Sequence, residues 1–183
     1  FVTGATGFIG STIVKNMIAD GHHVIGLTRS DAGAAQLKAA GAEVHRGSLE
    51  DLESLKAGAA KSDGVIHTAF NHDFSTYMAN CEDDRRVIEA IGSVLIGSDR
   101  PLLVTSGTGM ALAQGRPSTE QDAAASSKLV PRAMSEEAAN AVAAKGVNVS
   151  IVRLPQVHDT RKQGLVSYVI QVAQEKKVVP YIG

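Results

Sequence analysis

The stretch Phe1–Gly10, FVTGATGFIG, constrains this chain more than any other, because three residues of strand-like sequence run straight into glycines at positions 4, 7 and 10. Glycine costs backbone entropy and adds no packing area, so this spacing marks places where the chain must turn sharply or where a side chain has no room. Beyond Gly10 the apolar residues Ile9, Ile13, Val14, Met17 and Ile18 recur at helical spacing, and Gly21 stands where a helix end takes a left-handed residue. The spacing predicts a helix over about 8–20. A strand, a glycine turn and a helix in succession place the N-H groups and partial positive charge of a helix N-terminus beside the strand end, a geometry suited to a diphosphate. In such a turn Gly4 lets the chain leave the strand, Gly7 removes a side chain that would meet the phosphates, and Gly10 lets the helix pack on the strand. Thr6 adds a hydroxyl, and Phe8 and Ile9 open the helix.

The same strand and helix unit then repeats. HHVIGLT reads as a short buried strand, followed by a helix around 31–40, a strand in AEVHRG, a helix near 50–58, a strand in GVIHTAF, a long helix over about 75–96 and the apolar run PLLVTS. Residues 109–127 read as a loop, Pro131 suits the first turn of a helix running to Gly146, VNVSIVRLP is a sixth strand, and GLVSYVIQVAQEKK is a final amphipathic helix. Strands alternating with helices force parallel pairing through right-handed crossovers. The expected fold is α/β, a Rossmann-type doubly wound parallel sheet in three layers.

Composition adds bounds. At 183 residues, with 44% hydrophobic and 20% charged residues, one globular domain is expected over 1–183, and neither disorder nor membrane spanning is. A formal charge of -1 recruits neither nucleic acid nor membrane surface, leaving a small-molecule substrate as the expected partner. The single Cys81 forms no internal disulfide and reads as structural, and a reducing cytoplasmic location is expected. A first strand of only three residues, no initial Met, and a chain that stops at VVPYIG lead us to expect part of a longer protein, incomplete at both ends, with a small C-terminal substrate-binding part mostly outside it.

VTGATGFIG, together with HTAF, LLVTSGT and VRLPQVH, resembles the extended and atypical short-chain dehydrogenase/reductase superfamily, the epimerase and dehydratase group, over essentially the whole chain. The resemblance implies a nicotinamide dinucleotide held by the glycine turn. It further implies that residues just past the second strand choose the cofactor, where this chain has Arg29 and Ser30 and no acid until Asp31, so NADP is favoured with NAD as the alternative. Ser48 and Leu49 resemble the segment under the adenine, although relatives commonly show Asp-Leu there. Thr68, Ala69 and Phe70 resemble the segment along the ribose and diphosphate, and Pro155, Gln156 and Val157 the loop flanking the nicotinamide amide. The helices near 75–96 and 131–145 resemble those that pair in a homodimer of this superfamily.

The family's catalytic pair is a Tyr with a Lys four residues later. Only Tyr77, Tyr168 and Tyr181 occur here, and none has that Lys. One register sets Lys128 at the Tyr position and Arg132 at the Lys position; another sets Ala124 at the Tyr position and keeps Lys128. We prefer the first, in which Arg132 faces inward, able to grip a ribose or a substrate anion but not to shuttle a proton. Ser106 or Thr108 of TSGT would hydrogen-bond a substrate oxygen, with a strand cap as the bland alternative. His158 is a weaker acid-base candidate. His22, His23, His67 and His72 lack the clustering of metal ligands, so no metal is expected, and the charge run EDDRR, Glu82 to Arg86, reads as a solvated helix face. Two functions remain open. One is an NADP-dependent oxidoreductase or epimerase-like enzyme of the atypical type acting on a small carbonyl or hydroxyl compound, and the other is a non-catalytic dinucleotide-sensing regulator.

Overall fold

Among the described residues six strands and six helices alternate, as the repeated apolar runs require. The computed structural model describes residues 1–113, 115–160, 164 and 166–179. The strands are β1 (Val2–Thr3), β2 (Ile25–Thr28), β3 (Glu43–Arg46), β4 (Val65–His67), β5 (Pro101–Gly107) and β6 (Asn148–Leu154). The helices are α1 (Phe8–Ala19), α2 (Asp31–Ala39), α3 (Leu52–Ala60), α4 (Tyr77–Ser93), α5 (Met134–Ala143) and α6 (Val166–Lys176). The sheet order is β3-β2-β1-β4-β5-β6, the doubly wound arrangement, with parallel pairing of β1 to β2 and β4, of β2 to β3 and of β4 to β5. Crossing from β3 to β4 reverses the winding beside β1, so the carboxyl ends of β1 and β4 border the natural ligand crevice.

Side-chain alternation in β1 divides the core between the two faces of the sheet. Phe1 joins Leu55, Val87, Ile88, Ile91, Leu102, Val104 and Val142 of the α3, α4 and α5 side. Val2 joins Ala5, Val14 and Leu37 of the α1 and α2 side. The elements are shorter than the sequence suggests: His22 and His23 lie before β2, and residues 75 and 76 belong to a 3-10 turn ahead of α4. Pro131 likewise opens a 3-10 turn, Pro131–Ala133, that leads into α5. The expected loop over 109–127 contains a 3-10 turn, Thr108–Met110, and an isolated antiparallel bridge between Ala111 and Ala124.

Packing density divides the chain into two units, Phe1–Arg153 and Leu154–Gly183. The second carries α6, on which Tyr168, Val169, Ile170 and Val172 are exposed. Among the described residues no helix is long and apolar enough to cross a membrane.

One arginine ties two helix ends to the sheet. The Arg100 guanidinium donates to the carbonyls of Ala59 and Ser62, both 3.1 Å, at the end of α3, and to Val94 O, 2.7 Å, at the end of α4. These carbonyls lie at or just past helix C-termini, where the regular helical N-H partners run out. Arg100→Ala is expected to lower the unfolding free energy by about 2 kcal/mol, since part-buried acceptors lose a charged donor. Urea denaturation checks this, and an unchanged midpoint would refute it.

Candidate functional site

At the carboxyl end of β1 each glycine answers to a particular neighbour. Gly4 has φ +65°, and a Cβ there would lie 2.7 Å from Thr68 Oγ1 and 2.8 Å from Ala69 N. A Cβ on Gly10 would lie 2.1 Å from Gly4 O, so the third glycine is what lets α1 close on the turn. Gly7 donates to Gly4 O at 2.8 Å and caps α1 with no side-chain hydrogen bond. The end of β4 is bolted to the same strand: Thr68 Oγ1 donates to Thr3 O, 2.7 Å, and Ala69 N to Thr3 Oγ1, 3.3 Å. Thr6 accepts from Gln36 Nε2 through its carbonyl at 3.4 Å, while Phe8 and Ile9 are half-buried on the first turn of α1. A glycine-lined helix N-terminus without a side-chain cap, fixed against the crossover strand, has the shape and polarity that a dinucleotide diphosphate requires.

Two arginines and two carboxylates stand at the ends of β2 and β3. Arg29 is exposed, and Ser30 caps α2 by accepting from Gly33 N at 3.0 Å. Arg46 pairs with Asp31. Glu50, which sequence reasoning missed, arrives from the segment after β3. The Ser48 hydroxyl, its own backbone and the Arg29 charge hold its carboxyl below the ordinary value. Ser48 thus hydrogen-bonds the acid two residues on, and Leu49 is partly buried against the core.

The third corner centres on Arg132, at the ends of β4 and β5. Its Nη1 donates to Asp84 Oδ2 at 2.9 Å and to Ser135 Oγ, and its Nη2 to Thr105 O at 3.3 Å. The guanidinium lies 4.2 Å from the centre of the Phe70 ring, a cation-π stack. Phe70 meets His72 and Tyr77 edge-on, with centroids 5.2 and 6.4 Å away. The Tyr77 hydroxyl hydrogen-bonds the buried Cys81; burial raises the pKa of both groups, so both keep their protons at neutral pH. Lys128, by contrast, is exposed and Ala124 pairs with Ala111 across the loop.

Asp84 corrects the expectation that EDDRR is a solvated face. Its side chain is 2% exposed. Glu82, Asp83, Arg85 and Arg86 do make exposed or half-exposed ion pairs along α4, but Asp84 falls on the helix stripe of Cys81, Val87, Ile88 and Ile91 that packs inward. That periodicity was the signal available in the sequence. Burial works to raise the Asp84 pKa, yet the charges and hydrogen bonds of His67, Arg132 and Ser135 outweigh it and hold the carboxyl below its ordinary value.

The remaining candidates are dispersed. Ser106 donates to Glu136 Oε1 at 2.6 Å, and Glu136 is gripped by Arg153 through Nε, 2.9 Å, and Nη2, 2.8 Å. Ser106 is thus occupied in a buried ion pair below the strand end, whereas Thr108 is exposed on the following 3-10 turn. In the second unit Pro155, Gln156 and His158 are exposed and Val157 is half-buried, its carbonyl 2.5 Å from where a Cβ on Gly164 would lie. Tyr181 lies outside the described residues. Among the described residues no group of three or more His, Cys, Asp or Glu is placed to hold a metal ion.

The sequence profile of the NAD dependent epimerase/dehydratase family matches residues 1–183. An uncharacterized protein of Schizosaccharomyces pombe is 49% identical over 184 residues, covering 100% of this chain and 62% of that protein. An uncharacterized protein of Saccharomyces cerevisiae is 41% identical over 186 residues, again covering 100% of this chain and 62% of the relative. The chain therefore spans less than two thirds of these relatives. Among solved structures, the dTDP-glucose 4,6-dehydratase of Streptomyces venezuelae, a double mutant with NAD bound, superposes with a TM-score of 0.73 at 18% identity, covering 100% of this chain and 64% of that one. At that identity the likeness speaks to the fold alone.

Proposed function

The chain belongs to the NAD dependent epimerase/dehydratase family, and from that premise we propose that it is the dinucleotide-binding part of an NADP-dependent oxidoreductase or epimerase-like enzyme acting on a small carbonyl or hydroxyl compound. The observation that carries this reading is the cradle of Gly4, Gly7 and Gly10 at the start of α1, bolted through Thr3 to Thr68 and Ala69. When bound, the dinucleotide supplies hydride chemistry, and the protein supplies position and polarity. Backbone N-H groups at the N-terminus of α1 hold the diphosphate, and Thr68, Ala69 and Phe70 line the ribose. Of the two strand-end hydroxyls, Ser106 is buried and Thr108 is the one accessible to a substrate oxygen. A guanidinium carries hydrogen-bond donors and no acceptor, so Arg132 orients and does not shuttle a proton. Pro155 and Val157 would flank the nicotinamide end.

Preference for NADP rests on Arg29, and on Arg46, which engages the acid Asp31. In the full-length protein, titration followed by cofactor fluorescence is expected to give tighter binding of NADPH than of NADH. Arg29→Ala is expected to weaken NADPH roughly tenfold, the worth of one charge-assisted hydrogen bond to a phosphate, and to leave NADH unchanged. Equal losses for both cofactors would overturn the NADP preference, and no binding of either would overturn the whole reading. The sensing alternative draws on the absence of a Tyr-Lys pair, and it requires that reduced and oxidised cofactor bind with different affinities while no substrate is turned over.

A further inference from the structure

We propose that Asp84 is a positioning residue that locks the Arg132 guanidinium at the ends of β4 and β5 and cancels its charge, so that this corner accepts a neutral hydroxyl or carbonyl oxygen and rejects an anion. The inference rests on the proposed dinucleotide site only for which ligand brings that oxygen.

The geometry is a single buried thread. Thr3 Oγ1 accepts from Ala69 N at 3.3 Å and is hydrogen-bonded to His67 Nδ1, 2.7 Å away. On its other side His67 Nε2 donates to the carboxylate oxygen Asp84 Oδ1 at 2.9 Å. The other carboxylate oxygen, Oδ2, accepts from Arg132 Nη1 and from the Ser135 hydroxyl. His67 is 1% exposed and Ser135 is fully buried. A buried carboxylate survives only when paired and hydrogen-bonded, and here both oxygens are occupied by groups that are themselves fixed.

Arg132 is the one member that reaches outward. Two N-H groups on Nη1 and one on Nη2 are used, so Nε-H and one Nη2-H have no partner among the described residues. The face of the guanidinium is covered by Phe70, leaving an edge as its outward donor. An arginine with its positive charge uncompensated would make that edge an anion receptor. With Asp84 at 2.9 Å the pair is close to neutral overall, and the edge is left with directional hydrogen bonds and little net field.

The test uses the full-length protein and inorganic phosphate as the probe. Thermal midpoints are compared in phosphate and in chloride at equal ionic strength, for wild type, Arg132→Gln, Asp84→Asn and the double variant. We expect wild type and Arg132→Gln to respond to phosphate identically, because the locked cation does not receive it. Asp84→Asn should gain an extra stabilisation of roughly 3 °C at phosphate about tenfold above its dissociation constant, as mass action requires. The double variant should lose that gain. A wild-type phosphate response that Arg132→Gln lacks would overturn the proposal, as would an Asp84→Asn protein with no gain. If Asp84→Asn does not fold, the comparison of wild type with Arg132→Gln still decides. A merely structural Asp84 would change midpoints equally in both salts. Failure of NADPH binding in the same wild-type preparation would count against the dinucleotide site and leave the phosphate comparison intact.

Discussion

Substituting Ala for Gly10 is expected to destabilise the protein by about 3 kcal/mol or more and to remove measurable dinucleotide binding. The added methyl would sit 2.1 Å from Gly4 O and 2.7 Å from Gly4 C, and both obstacles are backbone. No rotamer relieves such a clash. Either α1 lifts from the turn or Gly4 shifts, and Gly4 faces Thr68 and Ala69 so closely that even a Cβ there would lie within 3.0 Å of both. Overpacking of this kind costs about 1–3 kcal/mol where neighbours can yield, and more where they cannot. Gly7→Ala is the discriminating comparison. Its φ of -76° suits alanine and its nearest obstacle lies at 3.1 Å, so its stability should change by less than about 1 kcal/mol while dinucleotide affinity falls. Urea unfolding and NADPH fluorescence, run on both variants, check the pair. A Gly10→Ala protein as stable as wild type would show that α1 does not depend on that contact.

The second large effect belongs to Glu136. Its side chain is 2% exposed and its two oxygens take a bidentate grip from Arg153 and the proton of Ser106. Glu136→Ala leaves a guanidinium that is 16% exposed without its counter-charge and orphans a buried hydroxyl. Breaking one side of such a pair costs about 3–5 kcal/mol, and Glu136→Gln should cost less because it keeps the acceptor oxygen. The same group sets acid sensitivity. Burial works to raise the Glu136 pKa, but hydrogen bonds and charge from Arg153 and Ser106 bring it below its ordinary 4.5, and Asp84 is depressed likewise. A carboxyl depressed in the folded state stabilises the protein fully above its unfolded value, and that contribution is lost as pH falls through the folded one. Stability should therefore be flat in these two groups above about pH 5.5 and fall below about pH 4.5, and Glu136→Ala should show a shallower acid slope. A mutant with the wild-type slope would remove Glu136 from the explanation.

The doubly wound parallel sheet was legible because apolar runs alternate with segments of helical spacing, and the three glycines followed from the turn they open. What was not legible is how distant segments share charge. EDDRR looks like a solvated run when counted, and only the stripe from Cys81 through Val87 to Ile91 reveals that Asp84 faces inward. Glu50 joins Arg29 across the gap between β2 and the segment after β3, which no local window contains. Ser106 reads as a substrate-facing hydroxyl at a strand end, yet its acceptor, Glu136, lies 30 residues on. Local rules place elements on the sheet; polar partners are chosen by which strands the winding makes adjacent.

The thread from Ala69 through Thr3, His67 and Asp84 to Arg132 joins residues separated by 66, 64, 17 and 48 positions. No stretch of chain shorter than residues 3–132 contains all of it, so it cannot be prefabricated in any hairpin or single crossover. Each link gains its hydrogen bond only after a loop of that length has been closed. The corner proposed to recognise a ligand is in this sense a signature of the completed topology: a molecule that has wound its strands in any other order has no such corner to offer.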